Sequence, residues 1–197
     1  MTDYSQNGES KVLKELFDKM GINRGSYIDI GAGDGYKLSN TAYFRQSGWV
    51  GSEYDADPRG SKFVKEMKVT VENVNTICNH CNLLSIDIDG NDYWVLREVL
   101  KNIHPDVIIF EVNSQLPLHK QIAMPYNADH EWDGTNYFGM SYLAGFKICE
   151  DFSYQVYCIV NRSNIIAVSK SYDIQPLSIK MQETWSHPDT TKEFKEV

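Results

Sequence analysis

Asp29, Gly31, Gly33, Asp34 and Gly35 fall within seven residues, at the end of the apolar run Ser26 to Ile30. Glycines at that spacing take positive φ and let the backbone come close to a ligand, so the segment reads as a cofactor loop. A dinucleotide fingerprint requires a further glycine three residues after the second, and Tyr36 stands there, which argues against a nicotinamide cofactor. Glu53 ends the next apolar run, where an acidic side chain can accept hydrogen bonds from both ribose hydroxyls of a bound nucleoside. Asp87, Asp89, Asn91 and Asp92 crowd the end of a later apolar run, and Glu111 and Asn113 the end of the one after it. Carboxylates gathered in one cleft must protonate, meet a cationic group or bind a cation. Oxygen ligands of this kind suit Mg²⁺, which makes a bound hydroxyl easier to deprotonate. Asp89 and Asn91 also have a structural reading, as turn and cap residues before a helix.

The elements that must hold these groups follow from the hydrophobic pattern. Val12, Leu13, Leu16, Phe17 and Met20 recur at helical spacing and stop at Gly21. Strands are expected at Ser26–Ile30, Trp49–Tyr54, Lys68–Val71, Leu83–Ile88 and Val107–Val112. Helices are expected at Asn40–Gln46, Pro58–Glu66, Glu72–Cys81, Asp92–Leu100 and Ser141–Glu150, with Gly134–Gly139 as loop. The alternation predicts an α/β chain with a mostly parallel sheet covered by helices on both faces. Tyr154–Val160 and Asn164–Lys170 are joined by so short a link that they should run antiparallel. In an open parallel sheet, ligands bind at the carboxyl ends of the strands, which is where the polar groups above fall.

The chain of 197 residues has 42% hydrophobic and 12% aromatic residues, the content of one well-cored unit. The expected organisation is a single domain: an N-terminal helix within residues 1–24, a core over 25–171 and a tail over 172–197. The tail, which contains Trp185, is free to wrap the domain, reach a neighbouring subunit or lack order. A net charge of −8 with scattered basic residues gives no footprint for nucleic acid. The N-terminal segment lacks the pattern of a signal peptide and no run reaches membrane-span length, so a cytoplasmic protein without membrane partners is expected. Cys78 and Cys81 form a CxxC pair around His80, but no second pair stands at zinc spacing; Cys149 and Cys158 are far away. The cysteines read as reduced thiols.

Several of these segments together carry a family resemblance. Tyr27 to Pro58, with Asp29, Gly31, Gly33, Gly35, Asn40, Gly51 and Glu53, resembles the first two motifs of FkbM-like methyltransferases. Leu84 to Trp94, with Ser85, Asp87, Asp89, Gly90, Asn91, Asp92 and Tyr93, is similar to the fourth-strand motif of one FkbM-like subgroup, and a glutamate strand follows at Val107 to Pro117. Pro125, Tyr126, Trp132, Asp133, Gly134, Thr135, Tyr137, Phe138, Gly139 and Ser141 resemble that subgroup's later loop. The likeness spans roughly residues 25 to 169. The stretch from Glu53 to Leu83 is short for the family, and the tail has no counterpart.

The resemblance implies a Rossmann-like class I fold and methyl transfer from S-adenosylmethionine, commonly onto a hydroxyl of a sugar, glycan or natural product. The cofactor set is then Asp29, Gly31, Gly33, Asp34, Glu53, Tyr54, Glu72 and Asp87. Asp89, Glu111 and Asn113 are the acceptor-side candidates, and Asp87, Asp89, Glu111 and Asn113 the candidate ligands of Mg²⁺. His119, His130, Tyr126, Trp132 and Tyr137 lie where an acceptor would be covered, and a histidine there suits a general base. The partner is a small-molecule or glycan acceptor, with the oligomeric state open. A non-catalytic cofactor-binding module is the alternative function.

Overall fold

The computed structural model describes residues 2–181 and 192–197. Helix α1 is Glu9–Met20, ended by Gly21 at φ 74°. Strand β1 is Ser26–Ile30, helix α2 Ala42–Gln46, and strand β2 Val50–Asp55. Strand β3 is Val64–Glu66, strand β4 Leu83–Ile86, helix α3 Asp92–Leu100 and strand β5 Val107–Glu111. A short strand β6, Ile122–Ala123, precedes helix α4, Tyr142–Asp151, which Ser141 caps by accepting from the Ala144 N–H. Strands β7, Tyr154–Val160, and β8, Asn164–Ser169, form the late hairpin, and β9, Lys195–Glu196, pairs with β6.

The described residues form a seven-stranded sheet in the order β3-β2-β1-β4-β5-β8-β7. The first five strands of that order are parallel, and β8 is antiparallel to both β5 and β7. Alternate residues feed two cores. Ile28, Ile30, Leu84, Ile86 and Phe110 pack on the face covered by α3 and α4. Tyr27, Leu83, Val107, Ile109 and Ile166 pack on the other, against Leu13, Leu16 and Phe17 of α1, Phe44 of α2, and Trp49. Burial of residues of that size, at about 25 cal/mol per Å² of apolar surface, is the main force holding helices to sheet.

Three expected elements between residues 58 and 81 differ. Pro58 to Glu66 is not a helix: the chain turns through Arg59 and Gly60, both at positive φ, and then enters β3. Lys68 to Val71 lies beyond the sheet, although Val69 is buried. Glu72 to Cys81 contributes only one tight turn, Val74–Thr76. Asn73 explains that turn, because its side chain accepts from the Thr70 N–H at 2.8 Å and donates to the Lys68 carbonyl at 2.8 Å. Such local bonds compete with helix formation.

Of the tail, Tyr172 donates to Asp106 at 2.9 Å and the Leu177 N–H donates to the Tyr157 carbonyl at 2.8 Å, so this part wraps the sheet edge. Trp185 lies outside the described residues. No helix among the described residues is long and apolar enough to cross a membrane.

Candidate active site

One pleat row across the carboxyl edge of the sheet collects the polar groups. Asp29 pairs with Glu53 on one side and Ser85 on the other, and Ser85 with Ile109. Side chains two residues on point to the same face, so the next row reads Asp55, Gly31, Asp87, Glu111. Glu111 in turn pairs with Asn164 of β8. Gly31 makes the row possible. Its φ is 88°, and a Cβ there would stand 1.6 Å from the Asp87 carbonyl oxygen, so only glycine lets the ends of β1 and β4 come this close. The N–H groups of Gly31 and Ala32 both donate to the Tyr54 carbonyl, at 2.8 and 3.1 Å.

Geometry reassigns the acid of β2. Glu53, the expected ribose acceptor, is 2% exposed. Its carboxylate pairs with Arg45 and accepts from the Tyr27 hydroxyl at 2.7 Å beneath the glycine loop. Arg45 also donates to the Gly35 carbonyl and lies under the rings of Tyr36 and Phe63, at 4.7 and 4.5 Å from their centroids. Asp55, two residues further on the same face, is the acid that reaches the loop. It is half-buried, and its Oδ2 accepts from the Gly33 N–H at 2.7 Å. The sequence signal for Asp55 was strand parity combined with the strand's true end, one residue later than expected.

The other expected cofactor residues divide in the same way. Asp29 is buried, accepts from the Thr41 hydroxyl at 2.6 Å, and is pushed up to about 7 by burial. Asp34 turns the loop itself, accepting from the Tyr36 and Lys37 N–H groups at 2.8 and 2.7 Å, which hold its carboxyl below the usual range. Tyr54 supplies its carbonyl to the loop while its ring is in the core. Glu72 is exposed before the tight turn and accepts from the Tyr126 hydroxyl. Gly33 has open space beside it, with Arg59 at 4.0 Å as its nearest neighbour.

Past Gly31 the acids are closer and barer. Carboxylate oxygens of Asp87, Asp89 and Glu111 lie within 4.8 Å of one another. Burial, and then mutual repulsion with Asp92 and the others, raises Asp87 and Glu111 well above the carboxylate range and pushes Asp89 up to about 6. None of the three forms a salt bridge among the described residues. Asp92 is buried but engaged: it accepts from the Ile88 and Gly90 N–H groups, both at 2.9 Å, and so closes the turn in which Asp89 takes φ 52°. The turn reading fits Asp89, and Asn91 stands at the N-cap position of α3 without a side-chain cap bond, while Asp92 closes the turn.

Asn113 stands apart from that cluster. It is fully buried, its amide N–H groups donate to the carbonyls of Asn136 and Phe138 at 2.9 and 3.0 Å, and its oxygen accepts from the Gln115 N–H. Asn91 grips Asn127 in both directions, at 2.8 and 3.2 Å. These two asparagines clamp the segment between β6 and α4 over the acids, so the expected metal-ligand and acceptor role of Asn113 gives way to positioning of that segment. His130 within it meets the Asp89 carbonyl at 3.2 Å and packs edge-on to Tyr137, while Trp132 is 51% exposed. His119 is exposed. The cysteines are free, and burial pushes Cys81 and Cys149 up to about 12, the direction of unreactive thiols.

No family model matches the chain, and no curated protein matches it. Solved structures do match. A putative S-adenosylmethionine-dependent methyltransferase from Listeria monocytogenes superposes with a TM-score of 0.51 at 13% identity, over 82% of this chain and 98% of that one. The N-terminal domain of EvdMO1, crystallised in the presence of S-adenosylhomocysteine and D-fucose, gives 0.50 at 11%, over 83% of each chain. Magnesium protoporphyrin IX methyltransferase from Synechocystis PCC 6803, with bound S-adenosylhomocysteine, gives 0.50 at 11%, over 82% of this chain and 84% of that one. The strand order, its antiparallel late hairpin and these superpositions give one conclusion: the chain has the Rossmann-like fold of S-adenosylmethionine-dependent methyltransferases.

Proposed function

We propose that the protein is an S-adenosylmethionine-dependent methyltransferase of FkbM-like type, O-methylating a hydroxyl of a sugar, glycan or related small metabolite. The observation that carries this reading is at the carboxyl edge: Asp55 bonds the Gly33 N–H of the glycine loop, and past that loop oxygens of Asp87, Asp89 and Glu111 lie within 4.8 Å of one another. Asp55 supplies the acceptor for the ribose hydroxyls, and the open space beside Gly33 lets the amino-acid part of the cofactor approach the turn Gly31–Gly35. Bound there, S-adenosylmethionine supplies an electrophilic methyl group. Asp87 offers its carboxyl oxygens to the cofactor's ammonium, whose positive charge favours the ionised form. Asp89 and Glu111 orient the acceptor hydroxyl, and a carboxylate raised to about 6, as at Asp89, is suited to take its proton. The segment held by Asn91 and Asn113 covers the pocket, which favours alignment of the acceptor oxygen over attack by water.

The test is transfer of a labelled methyl group from S-adenosylmethionine to members of a hydroxylated acceptor pool, read by mass. The D-fucose named with EvdMO1 is a rational first member of that pool. Incorporation that disappears in Glu111→Gln is the expected result; a chain that binds the cofactor yet transfers nothing to any pool would be a binding module.

A further inference from the structure

We propose that Asp87, Asp89 and Glu111, with Asn164 behind them, form a binding site for one divalent metal ion. Its role at the acceptor rests on the methyltransferase reading; its existence does not. Oxygens around a single Ca²⁺ at 2.3–2.6 Å stand at most about 5 Å apart, and around Mg²⁺ about 4 Å. The three carboxylates already meet the first distance, all lying within 4.8 Å.

A separate observation comes from the neighbouring strand. Glu111 Oε2 and Asn164 Oδ1 are both buried without a hydrogen-bond partner. Asn164, 3% exposed, is the direct cross-strand partner of Glu111, and such partners place their Cβ atoms about 5 Å apart on one face. Its amide is oriented, because Nδ2 donates to Glu9 Oε1 at 3.0 Å, and Glu9 is itself fixed by the Asn7 N–H at 2.7 Å. The carbonyl oxygen is therefore the atom left without a partner, on the residue directly across from Glu111. Two buried acceptors from adjacent strands, beside carboxylates in no ion pair, match a cation that takes oxygen ligands. An unmet buried acceptor is unfavourable, and such an ion offsets that cost. Asp92 is not a ligand, since the Ile88 and Gly90 N–H groups engage both its oxygens; it fixes the turn that carries the ligands. An all-oxygen set selects Mg²⁺, Mn²⁺ or Ca²⁺ over zinc or copper. An ion here would also bind an acceptor hydroxyl and lower its pKa.

Mn²⁺ titrated into the full chain at about pH 8, which favours the deprotonated ligands that a metal requires, and followed by the resonance of the free ion, tests the site. One saturable site displaced by Mg²⁺ or Ca²⁺ is expected, weakened at least tenfold in Glu111→Gln and in Asp89→Asn, while Asp18→Asn on α1 changes nothing. Asparagine tolerates the left-handed backbone of Asp89, so melting temperatures should confirm folded variants. Absence of saturable Mn²⁺ binding, or binding that both variants retain, overturns the site. S-adenosylhomocysteine calorimetry on the same proteins separates the two readings: metal binding without nucleoside binding upholds the site and removes the methyltransferase function. Nucleoside binding without metal does the reverse.

Discussion

The two halves of the carboxyl edge hold acids in opposite ways. Around β1 and β2 every carboxylate has a partner on at least one oxygen: Glu53 Oε1 has Arg45 and Tyr27 while its Oε2 is unmet, Asp29 has Thr41, Asp34 and Asp55 have loop N–H groups. Around β4, β5 and β8, Asp87, Asp89 and Glu111 face one another, and acceptor oxygens of Glu111 and Asn164 are unmet. A partnered acid fixes a backbone shape. An unpartnered buried one stores unfavourable energy that a ligand can relieve, so the same residue types build the scaffold on one side and the reactive pocket on the other.

Removing a partner on the first side should have the largest effect. Arg45→Ala leaves Glu53 buried and uncompensated, and is expected to cost about 3–5 kcal/mol in chemical denaturation; adding Glu53→Gln should recover much of it. A loss under about 1 kcal/mol would show that the pair is solvated and the contrast false. Gly31→Ala comes next, since it drives a methyl group into the Asp87 carbonyl at a left-handed φ: at least about 2 kcal/mol is expected. Gly134→Ala, at φ 81° with nothing within 4 Å, serves as control at about 1 kcal/mol. Equal losses for the two would mean that the β1 to β4 approach is not tight.

The second side should respond to pH with a definite sign. Asp89 is raised to about 6 on this side, and Asp29 to about 7 on the first side despite its bond to Thr41, so the folded chain holds protons that the unfolded chain releases above about pH 4. Stability contributed by these groups is present in acid and falls as pH rises through about 4 to 7. Asp89→Asn should therefore lose less melting temperature between about pH 5 and pH 8 than the parent chain does. Parallel curves would place Asp89 in solvent. The smallest effect is expected from Asp34→Asn, which keeps one acceptor for the loop N–H groups and should cost about 0.5 kcal/mol in the same denaturation assay.

Much of this was legible in the sequence because the sheet is built from long apolar runs: β1 and α3 have the bounds that periodicity assigns. Residues 58–81 were not, since a three-residue strand such as β3 is too short to show a period and Asn73 replaces a helix with side-chain bonds. The cluster Asp87, Asp89 and Glu111 could be read from strand ends. Glu53 and Asp55 could not be told apart, because both lie on one face and only the pairing of Glu53 with Arg45, eight residues away, separates the buried acid from the open one. Nothing in the sequence marks Asn113 as a clamp, for its partners are carbonyls of residues 136 and 138.

Calorimetric titration of S-adenosylhomocysteine into the chain and into Asp55→Ala tests the central claim most directly. Saturable binding by the parent chain, with affinity at least about tenfold weaker in Asp55→Ala at a temperature where both proteins are folded, is the expected result. Absence of binding by the parent chain, or equal affinity in the two proteins, would contradict it.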